Sequence, residues 1–241
     1  MNQQTDHAKS LDAELFQTRL LSFVNAISGF VHNISNPLTL ITTRVQLLNL
    51  KMPQNSEFEK MANQSKIIVS MLNNLAYISQ NIVSTEIKSL NINELLKNEL
   101  TFFRTDTFFN HEVKKNYQFY PNLSKTKGFY FHVSTLFFCI MHLQLFLMRD
   151  TAEKTISVKT SEKDNNILID ISGTGGMLSD KEVNQICLKS INLETEDIKP
   201  RQLLINNLIK SHQIIPGNYI LTIKSDHDQT YYQIAIPIIH E

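Results

Sequence analysis

The sequence predicts an α+β protein in two parts. A helical hairpin over residues 1–88 dimerises into a four-helix bundle, and an α/β sandwich follows over 89–241. Three observations predict this. Apolar residues recur every seven positions through the first part, the texture changes after residues 85–96, and strand-like runs then alternate with helical ones.

Residues 11–50 form the first predicted helix. Leu20, Ile27, Ile34, Ile41 and Leu48 repeat by seven, and Val24, Val31, Leu38 and Val45 follow each at four residues. That stripe is broad enough for the core of a bundle, wider than a two-stranded seam. The turn formers of KMPQN (51–55) end the helix. Ser56 and Glu59 then read as a capping box that opens a second helix, in which Met61, Ile68, Leu75 and Ile82 repeat by seven with Met71 and Ile78 between them. Two long helices joined by a short turn form an antiparallel hairpin. So broad an apolar face cannot cover itself, and pairing with a second copy buries it.

In the second part NINELLKNELTFF reads as a helix opened by Asn91 or Asn93. Strands are expected at 113–119, 154–160, 165–172, 218–225 and 231–238, with helices at 133–149 and 200–212. The arrangement is a sheet with helices on one face.

Composition narrows the partners. Lys plus Arg equals Asp plus Glu at 23 each, so no global charge draws the chain to nucleic acid or to an anionic membrane, and neither is expected as a partner. Cys139 and Cys187 show no metal-ligand or disulfide spacing and read as buried free thiols in a reducing compartment. The polar start MNQQTDHAKSLDAELF is unlike a signal peptide, and the apolar run at 136–148 is too short to span a bilayer. The expected location is cytoplasmic.

One histidine stands apart. On the first helix His32 shares its face with Asn25, Ser28, Gly29, Ser35, Asn36, Thr39 and Thr43, all small or polar, while the apolar stripe runs along the other side. His32 is therefore expected to point to solvent, with Ser28 and Gly29 leaving room for an approaching surface. Pro37 cannot donate to the Asn33 carbonyl, so a kink is expected just beyond. Phe23 and Phe30 at the stripe's edge read as core, and Arg44 and Lys51 as solvated charges able to meet an acidic surface.

HNISNPLT (32–39) resembles the phosphoacceptor box of sensor histidine kinases: His, an acid, two variable residues, Asn or Thr, Pro, Leu. The order of parts is similar too, a hairpin bearing the histidine, an LNINELL linker, then an α+β domain closing with PGNYILTIKS and YYQIAIPI. The resemblance implies an ATP-binding fold in the second part, but the residues it would need are missing. The helix that should carry two asparagines reads HLQLFLMRDT, with His142 and Phe146 in their places, and phenylalanine cannot ligate magnesium. In DISGTGGM the adenine-anchoring aspartate's place falls on Ser172 or Gly173, with Asp170 too early on its strand. Gly173, Gly175 and Gly176 look like relics of a phosphate loop, and IKPRQLLINN lacks the glycine-rich lid. The expectation is no ATP-dependent autophosphorylation and no cofactor of its own.

The residue after His32 is Asn33, which can orient a ring nitrogen but cannot act as a base. Asn36 lies one turn further on the same face, where the resemblance implies phosphatase-linked positioning. His32, Asn33 and Asn36 are thus the candidate catalytic residues. The leading expectation is a dimeric histidine phosphotransferase of a phosphorelay. It would exchange phosphoryl groups with receiver domains of response regulators, which bring their own Mg, and an upstream hybrid histidine kinase is a further partner implied. The alternatives are a response-regulator phosphatase and a non-catalytic pseudo-histidine-kinase scaffold.

Overall fold

The computed structural model describes residues 27, 29–53, 55–84, 86–190, 199–216, 218–226 and 228–239. The chain separates into two compact units, Met1–Val83 and Ser84–Glu241.

Among the described residues the first unit holds two helices, α1 over 29–51 and α2 (Ser56–Ile82), joined by the turn around Pro53. Helix α1 runs on through Pro37, so the proline removes one hydrogen bond without ending the helix. The start of α2 differs from expectation. Asn55, with extended backbone at φ −91 and ψ 96, is the cap, and its side chain accepts the Glu57 amide at 3.1 Å. Ser56 is already helical, so its hydroxyl is not placed to cap. The apolar residues of the two helices range from buried to open, with Ile34, Leu38, Leu75 and Ile82 half-buried. Val31, Val45, Ala62 and Ile78 are buried, whereas Phe30 (58 % exposed), Ile41, Leu48, Met61, Ile68 and Met71 are open. Phe30 is therefore not core within one chain. Leu20, Phe23, Val24, Asn25 and Ser28 lie outside the described residues.

The second unit runs β1 (Lys88–Leu90), α3 (Ile92–Phe103), α4 (Thr107–His111), β2 (Lys114–Gln118), β3 (Thr126–Gly128), α5 (Tyr130–Leu147), β4 (Thr155–Lys163), β5 (Asn166–Thr174), α6 (Asp180–Cys187), α7 (Pro200–Gln213), β6 (Ile220–Ser225) and β7 (Gln229–Pro237). Asn91 caps α3 by accepting the Glu94 amide at 3.1 Å. Asn93 instead turns inward, donating to Tyr120 O at 2.8 Å and accepting from Thr160 Oγ1 at 2.8 Å.

Five strands form one sheet in the order β2-β4-β5-β7-β6, and β1 pairs with β3 apart from it. The β2–β4 pair is parallel and the other three are antiparallel. Strand alternation sends Ile156, Val158, Ile167, Ile169, Ile171, Tyr232, Ile234 and Ile236 to one buried face under the helices. The other face keeps Ser157, Asp170, Ser172, Tyr231 and Gln233 half-exposed. Asp164 and Asn165, at φ 50 and 59, make the two-residue turn between β4 and β5, a conformation that short polar side chains tolerate.

Helix α5 is long and apolar enough to cross a membrane, but 61 % of it is buried inside this unit, as a central core helix is. The two cysteines are free. Cys139 is half-buried and Cys187 exposed, because Cys187 ends the short surface helix α6; neither is fully buried as expected.

Candidate functional site

His32, Asn33 and Asn36 are all exposed on α1. Helical geometry sets Asn36 one turn beyond His32 on the same side. Around them Ser35 donates to Val31 O at 2.7 Å, Thr39 to Ser35 O at 2.7 Å and Thr43 to Thr39 O at 2.9 Å. Those hydroxyls are turned back onto their own helix. Among the described residues, the imidazole and the two amides are the polar groups of this stretch left free for an incoming molecule. Gly29, three residues before His32, has no heavy atom within 4 Å of where a side chain would begin. Arg44 and Lys51 are exposed further along.

In the second unit the residues of HLQLFLMRDT serve packing. The His142 ring lies 4.3 Å from Phe138 and 5.3 Å from Phe103. Burial lowers its pKa, partly countered by Asp106. Phe146 is half-buried beside it along α5. Asp170 belongs to the open face of the sheet, where it accepts from the Tyr231 hydroxyl and from Gln233 Nε2 at 2.8 Å. Burial, then the bond and the charge of Asp170, push the Tyr231 hydroxyl up to about 12.

Of the two places left for an adenine anchor, Ser172 shares Asp170's face, and Gly173 faces the helices. There a Cβ on Gly173 would lie 2.5 Å from Cγ and Cδ of Gln144. The Gln144 side chain, 0 % exposed, occupies that space and donates to Thr174 O at 3.1 Å. Its Oε1 is buried and finds no partner among the described residues.

The glycine loop beyond β5 is equally committed. Gly175 N–H donates to Asp228 O at 3.0 Å and Gly176 N–H to Leu147 O at 3.1 Å. Leu178 N–H donates to Ser225 Oγ at 2.9 Å, and Ser179 N–H to Glu182 Oε2 at 2.8 Å. Glu182 also receives Arg201 at 2.7 and 2.8 Å, and Arg201 donates to Met177 O at 2.7 Å. Burial pushes the Glu182 carboxyl up, but the Arg201 and Ser179 bonds outweigh it and hold it below its ordinary range. A phosphate bound here would find four backbone donors already spent. The expected absence of a lid falls partly on residues 191–198, which lie outside the described residues.

No family model matches the chain, and no curated protein is similar to it in sequence. Among solved structures, two nucleotide-free forms of the catalytic domain of histidine kinase ThkA are similar. One has a TM-score of 0.52 at 10 % identity over 64 % of this chain and 96 % of that one. The other has a TM-score of 0.50 at 10 % identity over 65 % and 100 %. The α+β unit has the fold of a histidine kinase catalytic domain. At such identity the likeness is one of fold, and the histidine-kinase fold here carries its own residues at each position just described. The pairs Gln144–Gly173 and Glu182–Arg201 escaped sequence reading; a glycine run beside a buried glutamine was the only trace of the first.

Proposed function

We propose that this chain is a two-component signalling protein in which His32 receives a phosphoryl group from the phosphorylated aspartate of a response-regulator receiver domain and passes it to a second receiver. The free nitrogen of the neutral imidazole bonds to phosphorus as the acyl-phosphate P–O bond breaks, and the aspartate leaves as a carboxylate. Asn33 and Asn36 orient the ring and the phosphoryl oxygens. The receiver supplies the Mg that neutralises the moving charge. No ATP enters the cycle, and the histidine-kinase-like unit serves as a docking body.

One observation carries the reading. Gln144 fills the space over Gly173 and four amides of the glycine loop are bonded within the protein, while an unbonded histidine and two amides stand exposed on α1. The open apolar residues Ile41, Leu48, Met61, Ile68 and Met71 support a homodimer, four helices from two copies burying what one copy leaves in water. A cytoplasmic location follows from receiver partners, and an upstream hybrid kinase would load the first receiver.

The test is incubation with a receiver domain phosphorylated on aspartate. The expected result is acid-labile, alkali-stable label on the wild-type chain and none on His32→Ala. Label surviving in His32→Ala overturns the assignment. The exposed, unbonded Asn36 favours a second reading as a phosphatase, in which His32→Ala keeps receiver dephosphorylation and Asn36→Ala removes it. Partner binding with no change in phosphorylation would leave a scaffold.

A further inference from the structure

We propose that the free edge of the sheet, strand β2 with the exposed flank of α3, is a docking groove for an acidic, extended polypeptide segment. Among the described residues strand β2 ends the five-stranded sheet and pairs only with β4. Its Lys114 amide donates inward to Lys154 O at 2.7 Å. Backbone groups along a strand alternate between its two edges, so the N–H and C=O of Lys115 and Tyr117 face outward and pair with no strand.

Helix α3 runs beside this edge. Asn93 donates to Tyr120 O at 2.8 Å, Lys97 Nζ lies 5.5 Å from the Phe119 ring centroid, and the charge of Arg104, just past the helix end, acts on both Lys115 and Tyr117. Lys97 and Arg104 thus flank this edge beside the exposed rings of Tyr117 (38 % exposed) and Tyr120 (46 % exposed), while Lys115 Nζ is turned onto Asn110 O at 2.9 Å and the Phe109 ring at 4.9 Å. Among the described residues none of Lys97, Arg104 and Lys115 is in an ion pair. Two neighbouring acids are already engaged. Asp106 accepts the Phe109 amide at 2.9 Å, and Glu112 pairs with Lys154 at 3.3 Å. Glu94 stands at the far end, beside a polar hollow of about 450 Å³ that Lys97 also lines.

The charge selects an acidic occupant. Lys97 on α3 and Arg104 just beyond it stand exposed and outside any ion pair among the described residues, so an incoming carboxylate gains their charge without breaking an existing pair. The backbone selects a polypeptide over a nucleic acid. The outward carbonyls of Lys115 and Tyr117 need N–H donors at strand spacing, which an added strand carries on alternate residues and a phosphodiester lacks. Lysines on an edge strand also hinder sheet-to-sheet association. Guarding needs cations only on the strand, whereas Lys97 and Arg104 lie on and just beyond α3.

The experiment uses the full chain and a fluorescent alternating Glu-Val octapeptide, with the matching Lys-Val octapeptide and an oligo-dT as controls. Saturable, salt-weakened binding of the Glu-Val peptide alone is expected. The double variant Lys97→Glu, Arg104→Glu should weaken it about tenfold or more. Tyr117→Pro removes an outward N–H where an edge tolerates proline, and should weaken binding similarly. Chemical-shift changes at the Lys115 and Tyr117 amides of the wild-type chain give a second readout that needs no variant. No saturable binding, binding indifferent to Tyr117→Pro in a folded variant, shifts that spare both amides, or competition by oligo-dT at equal strength would each overturn the groove.

Discussion

The side-chain amide of Gln144 lies against the α-carbon of Gly173, filling the volume that any side chain at residue 173 would need. Gly173→Ala must therefore displace Gln144, with a loss of roughly 1–3 kcal/mol of stability. In a Gln144→Ala background most of that loss should vanish. Denaturant unfolding of the four proteins measures the coupling, and additive losses would mean that the two residues are not a matched pair.

Gln144 also keeps one buried acceptor without a partner. An unpartnered buried acceptor costs roughly 1–3 kcal/mol, and the single bond to Thr174 returns about 1. Gln144→Met, of similar length, is expected to leave the protein equally stable or about 1 kcal/mol more stable by chemical denaturation. A large loss would show that Oε1 is satisfied in solution.

The pH dependence of stability should carry a mark from Glu99. This carboxyl, 2 % exposed, accepts Tyr130 Oη at 2.7 Å and Ser134 Oγ at 2.6 Å, and burial raises its pKa against those two bonds. The folded state then holds the proton more tightly than the unfolded chain. The stability this contributes is complete below the ordinary carboxyl range and is lost as pH rises through the raised value. Glu99→Gln keeps an acceptor for both hydroxyls and should flatten that decline. Unfolding curves of both proteins from pH 4 to 8 test it; parallel profiles would assign the slope elsewhere.

Ile41→Glu or Ile68→Glu places a charge on the open side of α1 or α2. Either should shift light-scattering mass in solution from two chains to one while the helical circular dichroism persists. A monomeric wild-type chain would contradict the bundle.

Asn33→Asp restores the acid that the phosphoacceptor resemblance calls for, yet four amides of the glycine loop stay bonded within the protein. No label should transfer from Mg-ATP to this variant. Label on His32 from ATP would show that the nucleotide site works in a form that leaves Gln144 and the loop amides rearranged.

The parts of the fold legible in the sequence are those with long, strict periodicity. The runs at 154–160, 165–172 and 231–238 match β4, β5 and β7 to within one residue at the end where each overruns, because alternation over that length fits a half-buried strand. The elements that went unread are short: β1 and β3 have 3 residues each, α4 has 5 and α6 has 8, too few for a period to emerge. Asn55 displaced Ser56 as the cap of α2 because neighbouring cap-forming residues differ only in backbone conformation, which their identities do not reveal. At the candidate site His32 is exposed, as its small, polar helix face implied, and Asn33, singled out by the phosphoacceptor resemblance, is exposed beside it.

By itself the sequence determined the helix that carries His32, the alternating strands of the second unit, and the absence of asparagine at 142 and 146 and of aspartate at 172 and 173. These are properties of residue type and spacing, readable one segment at a time. Only the tertiary structure decided what fills the place of the missing groups. The contact between Gln144 and Gly173, and the bonds from Gly175 to Asp228 and from Leu178 to Ser225, join residues 29, 53 and 47 positions apart. Such pairings depend on how strands and helices close on one another, and local pattern holds no record of them.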